Sequence, residues 1–203
     1  MGAAGPAIGV TGAALLAAGS ACAQAPAFAP CLQARPDLDA YVAAFEAQGW
    51  AAPDPDQRGL AMEALGQARF WSTVSSAAAT PEALAEELAL ARALATPRPE
   101  DGDVLVRGPV ALLVNVLDRS GGAAPEVQCL LAAPDMPDVE ALLAAGPVTR
   151  EEGASWTTQT RRREPGWHRL TVAAFRRELG ALSPRPLPGQ ASVHVTGSLE
   201  APP

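Results

Sequence analysis

The chain contains no lysine. All 15 of its basic residues are arginine, and 22 carboxylates outnumber them, for a formal net charge of −7. Without lysine there is no Schiff-base amine and no phosphate-loop cation. No glycine-rich phosphate loop occurs either, so no cofactor is expected. Asparagine and tyrosine each occur once, while alanine, glycine and proline abound. This is the coding bias of a GC-rich bacterial genome, and the missing lysines are not read as a functional choice. The acidic balance disfavours nonspecific binding to nucleic acid or an anionic membrane, so no nucleic-acid partner is expected.

Histidine is scarce as well. His168 and His194 are the only two, and they form no H-x-x-x-H arrangement, so no metal site is expected. His194 reads as an exposed sheet residue and His168 as a partly buried one. Nucleophilic hydrolysis needs a nucleophile, a base and a group to orient the base. There is no G-x-S-x-G elbow, and Ser120-Gly121-Gly122 reads as a loop. The pairs Asp37/Asp39, Asp54/Asp56 and Asp101/Asp103 resemble glycosidase carboxylates in type. Each stands beside proline, glycine or a helix start, where aspartate serves as a cap or turn residue.

Charge is absent from residues 1–23. The apolar run Ile8 to Ala18 is the only h-region, and it closes on Gly19-Ser20-Ala21-Cys22-Ala23. Ala21 and Ala23 fit an A-x-A cleavage site, which predicts a signal peptide over 1–23 and a mature start at Gln24. The front end lacks the usual positive residues. One alternative is lipid modification of Cys22, although Gly19 stands where a leucine-like residue is the rule. Another is an unprocessed cytosolic chain. The run is too short, and too broken by glycine and proline, to span a bilayer.

Removing 1–23 discards Cys22 and leaves Cys31 and Cys129. In an oxidising compartment such as the periplasm, an even pair predicts one disulfide. Closing a loop of about 100 residues stabilises by about 4–5 kcal/mol in the chain-entropy model. Two unrelated buried thiols are the alternative. Their separation suits neither a CxxC redox site nor a zinc cluster.

Residues 24–203 suffice for a single domain, and the pattern predicts α+β. An extended Ala/Pro-rich arm reaches Pro36. Leu38, Tyr41, Val42 and Phe45 then form a helical stripe, stopped at Gly49. A second helix places Ala61, Ala64, Leu65, Ala68 and Trp71 inward. A third, capped by Thr80 with Pro81 in its first turn, lines Leu84, Leu88, Ala91 and Ala95 along one face until Pro97. These three helices form one layer against a mainly antiparallel sheet.

Strands follow at 104–108 and 110–118, with a bend or bulge at Gly108-Pro109, and at 126–132, where Val127, Cys129 and Leu131 share a face. A short helix capped by Asp138 comes next and ends at Gly146. Later strands put Trp156, Thr158 and Thr160 together, Trp167 with Arg169 and Thr171, and Val193 with Val195.

The most distinctive polar stretch is "TRRREPGWHR". Arg161, Arg162 and Arg163 read first as a hairpin edge blunted by arginines that pair with Glu151, Glu152 and Glu164. The alternatives are a partner-binding edge, in which the arginine forks engage carboxylates and the Trp167 indole supplies contact area, or a small anion site. The expectation for the whole is an exported, non-catalytic interaction protein of the periplasm, with an exported or envelope protein as partner. A small-ligand binder would need a pocket lined by Trp50, Trp71, Trp156 or Trp167. A hydrolase would need a Ser or Asp within hydrogen-bond reach of a histidine.

Overall fold

A computed structural model describes residues 26–73, 102–117, 124–136, 148–151, 155–177 and 190–200, with residues 138–139 and seven scattered positions of 82–93. The fold is α+β. Among the described residues two α-helices, α1 (Leu38–Glu46) and α2 (Pro55–Thr73), precede β1 (Gly102–Arg107), β2 (Val110–Leu117), β3 (Glu126–Ala133), β4 (Val148–Glu151), β5 (Ser155–Arg162), β6 (Trp167–Arg177) and β7 (Ala191–Leu199). The strands form one sheet in the order β1-β2-β3-β7-β6-β5-β4, with every neighbouring pair antiparallel.

Among the described residues two α-helices can be given bounds where three were expected. The third segment falls mostly outside the described residues, Leu84, Leu88, Ala91 and Ala95 included, and the positions described within 82–93 are helical. Residues 1–23, read as the signal peptide, also lie outside, as do 140–147 of the short helix.

Capping residues set both helix starts. The Asp37 carboxylate accepts the Ala40 N–H at 2.9 Å. Asp54 and Gln57 form a reciprocal box: Gln57 N–H donates to the Asp54 carboxylate at 2.8 Å, and Asp54 N–H donates to the Gln57 side-chain oxygen at 3.2 Å. Pro55 opens α2, where its missing N–H costs nothing. At the end of α1, Gly49 adopts φ +83°. Its N–H donates to the Glu46 carbonyl while Trp50 N–H donates to the Phe45 carbonyl. This is a Schellman closure, and the hydrophobic contact that accompanies it is Phe45 edge-on to Trp50 at 5.5 Å.

The helices do not form one layer. Tyr41 and Phe45 of α1 pack with Leu105, Leu112, Val114, Cys129, Leu131, Val193 and Val195 on the first face of the sheet. Ala61, Ala64, Leu65 and Ala68 of α2 pack with Val104, Ala111, Leu113, Leu130 and Ala132 on the second. The cause is in β2 and β3: both "ALLV" and "CLLA" are apolar at consecutive positions, so each pleat face offers a surface that must be covered.

The N-terminal segment is not extended over its described part. Ala29–Leu32 form a 3-10 turn with Pro30 and Cys31 buried. Cys31 is bonded to Cys129, and both are almost fully buried. Three further contacts hold the segment against the first face. Ala27 N–H donates to the Asp138 carboxylate at 3.0 Å, Trp167 Nε1 donates to the Leu32 carbonyl at 3.0 Å, and Arg35 N–H donates to the Tyr41 hydroxyl at 3.2 Å. Burial raises the Tyr41 phenol to a pKa of about 12, against the weaker pull of Arg35.

Gly108-Pro109 proves to be a two-residue hairpin turn joining β1 to β2, since Arg107 pairs with Val110. Gly108, at φ +58°, takes the left-handed position.

Candidate functional site

The register sorts the second face into rows. Val106, Ala111, Ala132, Ser192 and Phe175 stand side by side, and the next row is Val104, Leu113, Leu130, His194 and Ala173. α2 lies over these two. The third row is Gly102, Asn115, Gln128, Thr196, Thr171 and Arg161, and the fourth is Leu117, Glu126, Ser198 and Arg169. The face thus changes from apolar to polar halfway along its strands, and the apolar half is the one that α2 buries. Asn115, Gln128, Thr196, Thr171, Ser198 and Glu126 are all partly accessible, while Arg161 and Arg169 are exposed.

Arg161 and Arg169 are diagonal neighbours on β5 and β6, because Arg161 stands opposite Thr171, two residues beyond Arg169. Such diagonal pairs are within reach of one long ligand group. Arg163 follows the end of β5 and is exposed. Among the described residues none of these three guanidiniums is held in an ion pair. Of the three carboxylates expected to pair with them, Glu164 is the one whose side chain is described, and it makes no ion pair among the described residues. Arg162 stands in register with Leu170, so strand alternation puts it in the rows of the other face. Its side chain lies outside the described residues, as do those of Glu151, Glu152 and Trp156.

Trp167 is a correction. Strand alternation grouped it with Arg169 and Thr171 as part of an exposed contact surface. It is 4% exposed and belongs to the first-face core. A register shift between Trp167 and Arg169 explains the reversal: Trp167 pairs with Leu199 and Arg169 with Ser198, leaving His168 extra. One added residue turns the indole to the opposite face, and His168, expected to be partly buried, is exposed. The turn before it is Glu164-Pro165-Gly166-Trp167, closed by Trp167 N–H to the Glu164 carbonyl at 3.2 Å, with Gly166 at φ +83°. Proline and glycine occupy the positions that a type II turn requires.

His194 also differs from its reading as an exposed residue. It lies under α2, with Phe175 edge-on at 5.4 Å and the Ala68 carbonyl 3.4 Å from Nε2. A carbonyl can only accept, so Nε2 carries the proton of the neutral ring. Burial lowers its pKa from 6.5 to about 4, helped by the Arg69 charge and opposed by the Ala68 hydrogen bond. Among the described residues the hydrogen-bond partner of His194 is a main-chain carbonyl.

Trp50 and Trp167 are core residues at 2% and 4% exposure, while the side chains of Trp71 and Trp156 lie outside the described residues. Among the described residues no group of three His, Cys, Asp or Glu side chains is placed to hold a metal ion. Likewise, no described helix is long and apolar enough to cross a membrane. No protein-family model, no curated protein and no solved structure matches this chain.

Proposed function

We propose that the protein is exported to the periplasm and acts by binding another exported or envelope protein, with Arg161, Arg163 and Arg169 on the polar half of the second face as the contact. The observation that carries this reading is the set of exposed guanidiniums without ion pairs among the described residues. A guanidinium presents a planar fork matched to carboxylates, and Thr171, Thr196, Ser198 and Gln128 beside it offer further hydrogen bonds. Two of the arginines sit on sheet strands, which hold a contact surface with little loss of backbone entropy on binding. The partner chemistry is an acidic surface segment.

Export is supported by the Cys31–Cys129 bridge, which suits an oxidising compartment, and by the uncharged apolar leader ending at Ala23. Intact mass of the protein from its native host tests this part. A chain beginning at Gln24 is expected, and a species retaining Met1 or carrying lipid on Cys22 overturns it.

The binding part is tested by affinity isolation from periplasmic extract with the wild type and an Arg161→Glu/Arg169→Glu variant. Circular dichroism serves as the folding control. Loss of a specific partner with the fold intact is expected. Identical partner profiles would remove the arginines from any interface.

A further inference from the structure

At the other end of the sheet, the first turns of α2 stand off the β1–β2 hairpin and leave a cleft of about 190 Å³. Leu60, Ala61 and Ala64 line it from the helix, and Val106, Pro109 and Val110 from the hairpin. The space exists because Ala61 and Ala64 end at Cβ and Gly108 has no side chain to reach across. Leu60 stands at the cleft, 64% exposed. A single exposed leucine needs no explanation, but one beside an unfilled apolar cleft extends it into a continuous contact surface.

The chemistry around Leu60 is acidic. Asp56 and Glu63, four residues before it and three after, are its neighbours on the helix surface, and both are exposed. Asp54 is exposed too, although its carboxylate is engaged in capping. The one cation on these turns, Arg58, is two positions from Leu60 and so points elsewhere on the helix.

We infer that this cleft is a docking site for a protein segment that inserts one large apolar side chain between α2 and the hairpin and pairs flanking basic residues with Asp56 and Glu63. The volume favours one side chain over a small-molecule ligand, whose pockets measure roughly 300–1,000 Å³. A buried apolar anchor with a charged rim is the arrangement in which a few residues carry most of the binding energy. Charge complementarity selects the occupant: the two exposed carboxylates beside the cleft, Asp56 and Glu63, favour a basic segment over an acidic one at this site. The site is independent of the arginine rows, since β3 and β7 separate the β1–β2 hairpin from β6 and β5.

The test is a nuclear magnetic resonance titration of the full mature chain with a synthetic nine-residue peptide, its central leucine flanked on each side by two arginines. Two controls replace the leucine by alanine or the arginines by glutamate. Saturable shifts at Leu60, Ala64 and Val110 are expected. The alanine-centred peptide should bind at least tenfold more weakly, as should Leu60→Asp, a change at an exposed position that leaves the fold intact by circular dichroism. Asp56→Asn/Glu63→Gln should weaken binding about fivefold. Shifts elsewhere, no saturation, or equal binding of the glutamate peptide would overturn the inference. Sedimentation of the peptide-free chain adds a further outcome: a dimer abolished by Leu60→Asp would reassign the cleft to a second copy and overturn the basic-segment occupant.

Discussion

Gly197 lies directly against the indole of Trp167. A methyl group built on Gly197 would come within 2.7 Å of the Trp167 ring atom Cζ3 and 2.6 Å of the Arg169 carbonyl. The absent side chain on β7 is therefore what admits the tryptophan that the β6 bulge turns inward. That tryptophan in turn fastens the N-terminal segment through the Leu32 carbonyl.

Gly197→Ala should displace the indole. Overpacking of this kind costs about 1–3 kcal/mol, and the Trp167–Leu32 hydrogen bond is lost with it, about 1 kcal/mol more. Chemical denaturation should show the loss. Tryptophan emission should shift to the red, whereas a silent substitution would leave the midpoint and the spectrum unchanged.

The Cys31–Cys129 bridge closes a separation of 98 residues within the core. Cys31→Ser/Cys129→Ser should lower stability by about 2–5 kcal/mol. Nonreducing peptide mapping of the purified protein should recover the linked peptides. Because both sulfurs are buried, mild reductant should open the bridge only after denaturant is added. Rapid reduction of the folded chain would contradict that placement.

His194 makes stability depend on pH. The unfolded ring takes up a proton near pH 6.5, the folded ring only near 4. The neutral ring's advantage is complete above about 6.5 and is lost as pH falls to about 4. The loss should be about 1–3 kcal/mol, below the full value of the shift because part of the residue stays accessible and solvent relieves some of the cost. Denaturation midpoints at pH 7 and 4.5 should differ less in His194→Leu than in the wild type. Equal differences would mean that the ring titrates freely.

Asp54→Ala removes one half of the capping box that starts α2. It should cost about 1 kcal/mol, with Asp54→Asn close to neutral. Thermal melts of the three proteins decide this, and an unchanged melting temperature in Asp54→Ala would show that tertiary packing alone holds the start of α2.

Local signals were legible in the chain. Asp37 before an apolar stripe and Gly49 after it marked α1, because caps and left-handed closures use short-range hydrogen bonds that a few consecutive residues specify. The helix face Ala61, Ala64, Leu65 and Ala68 was read from its 3.6-residue period. Cysteine arithmetic anticipated the bridge, since setting Cys22 aside with the expected leader leaves two thiols and one available pairing.

Tertiary structure alone decided the rest. A period of two assigns strand faces only while the register is unbroken, and one extra residue at His168 sent Trp167 inward and left Arg161 and Arg169 without it. The doubly apolar runs of β2 and β3 announce that both faces are covered, but not which helix covers which. That depends on where the chain crosses the sheet, a choice settled by packing between residues far apart in sequence. His194 shows the same limit. Its alternation with Val193 and Val195 was correct, yet whether its face met water or α2 was fixed by a helix more than a hundred residues earlier, whose Ala68 carbonyl lies beside the ring.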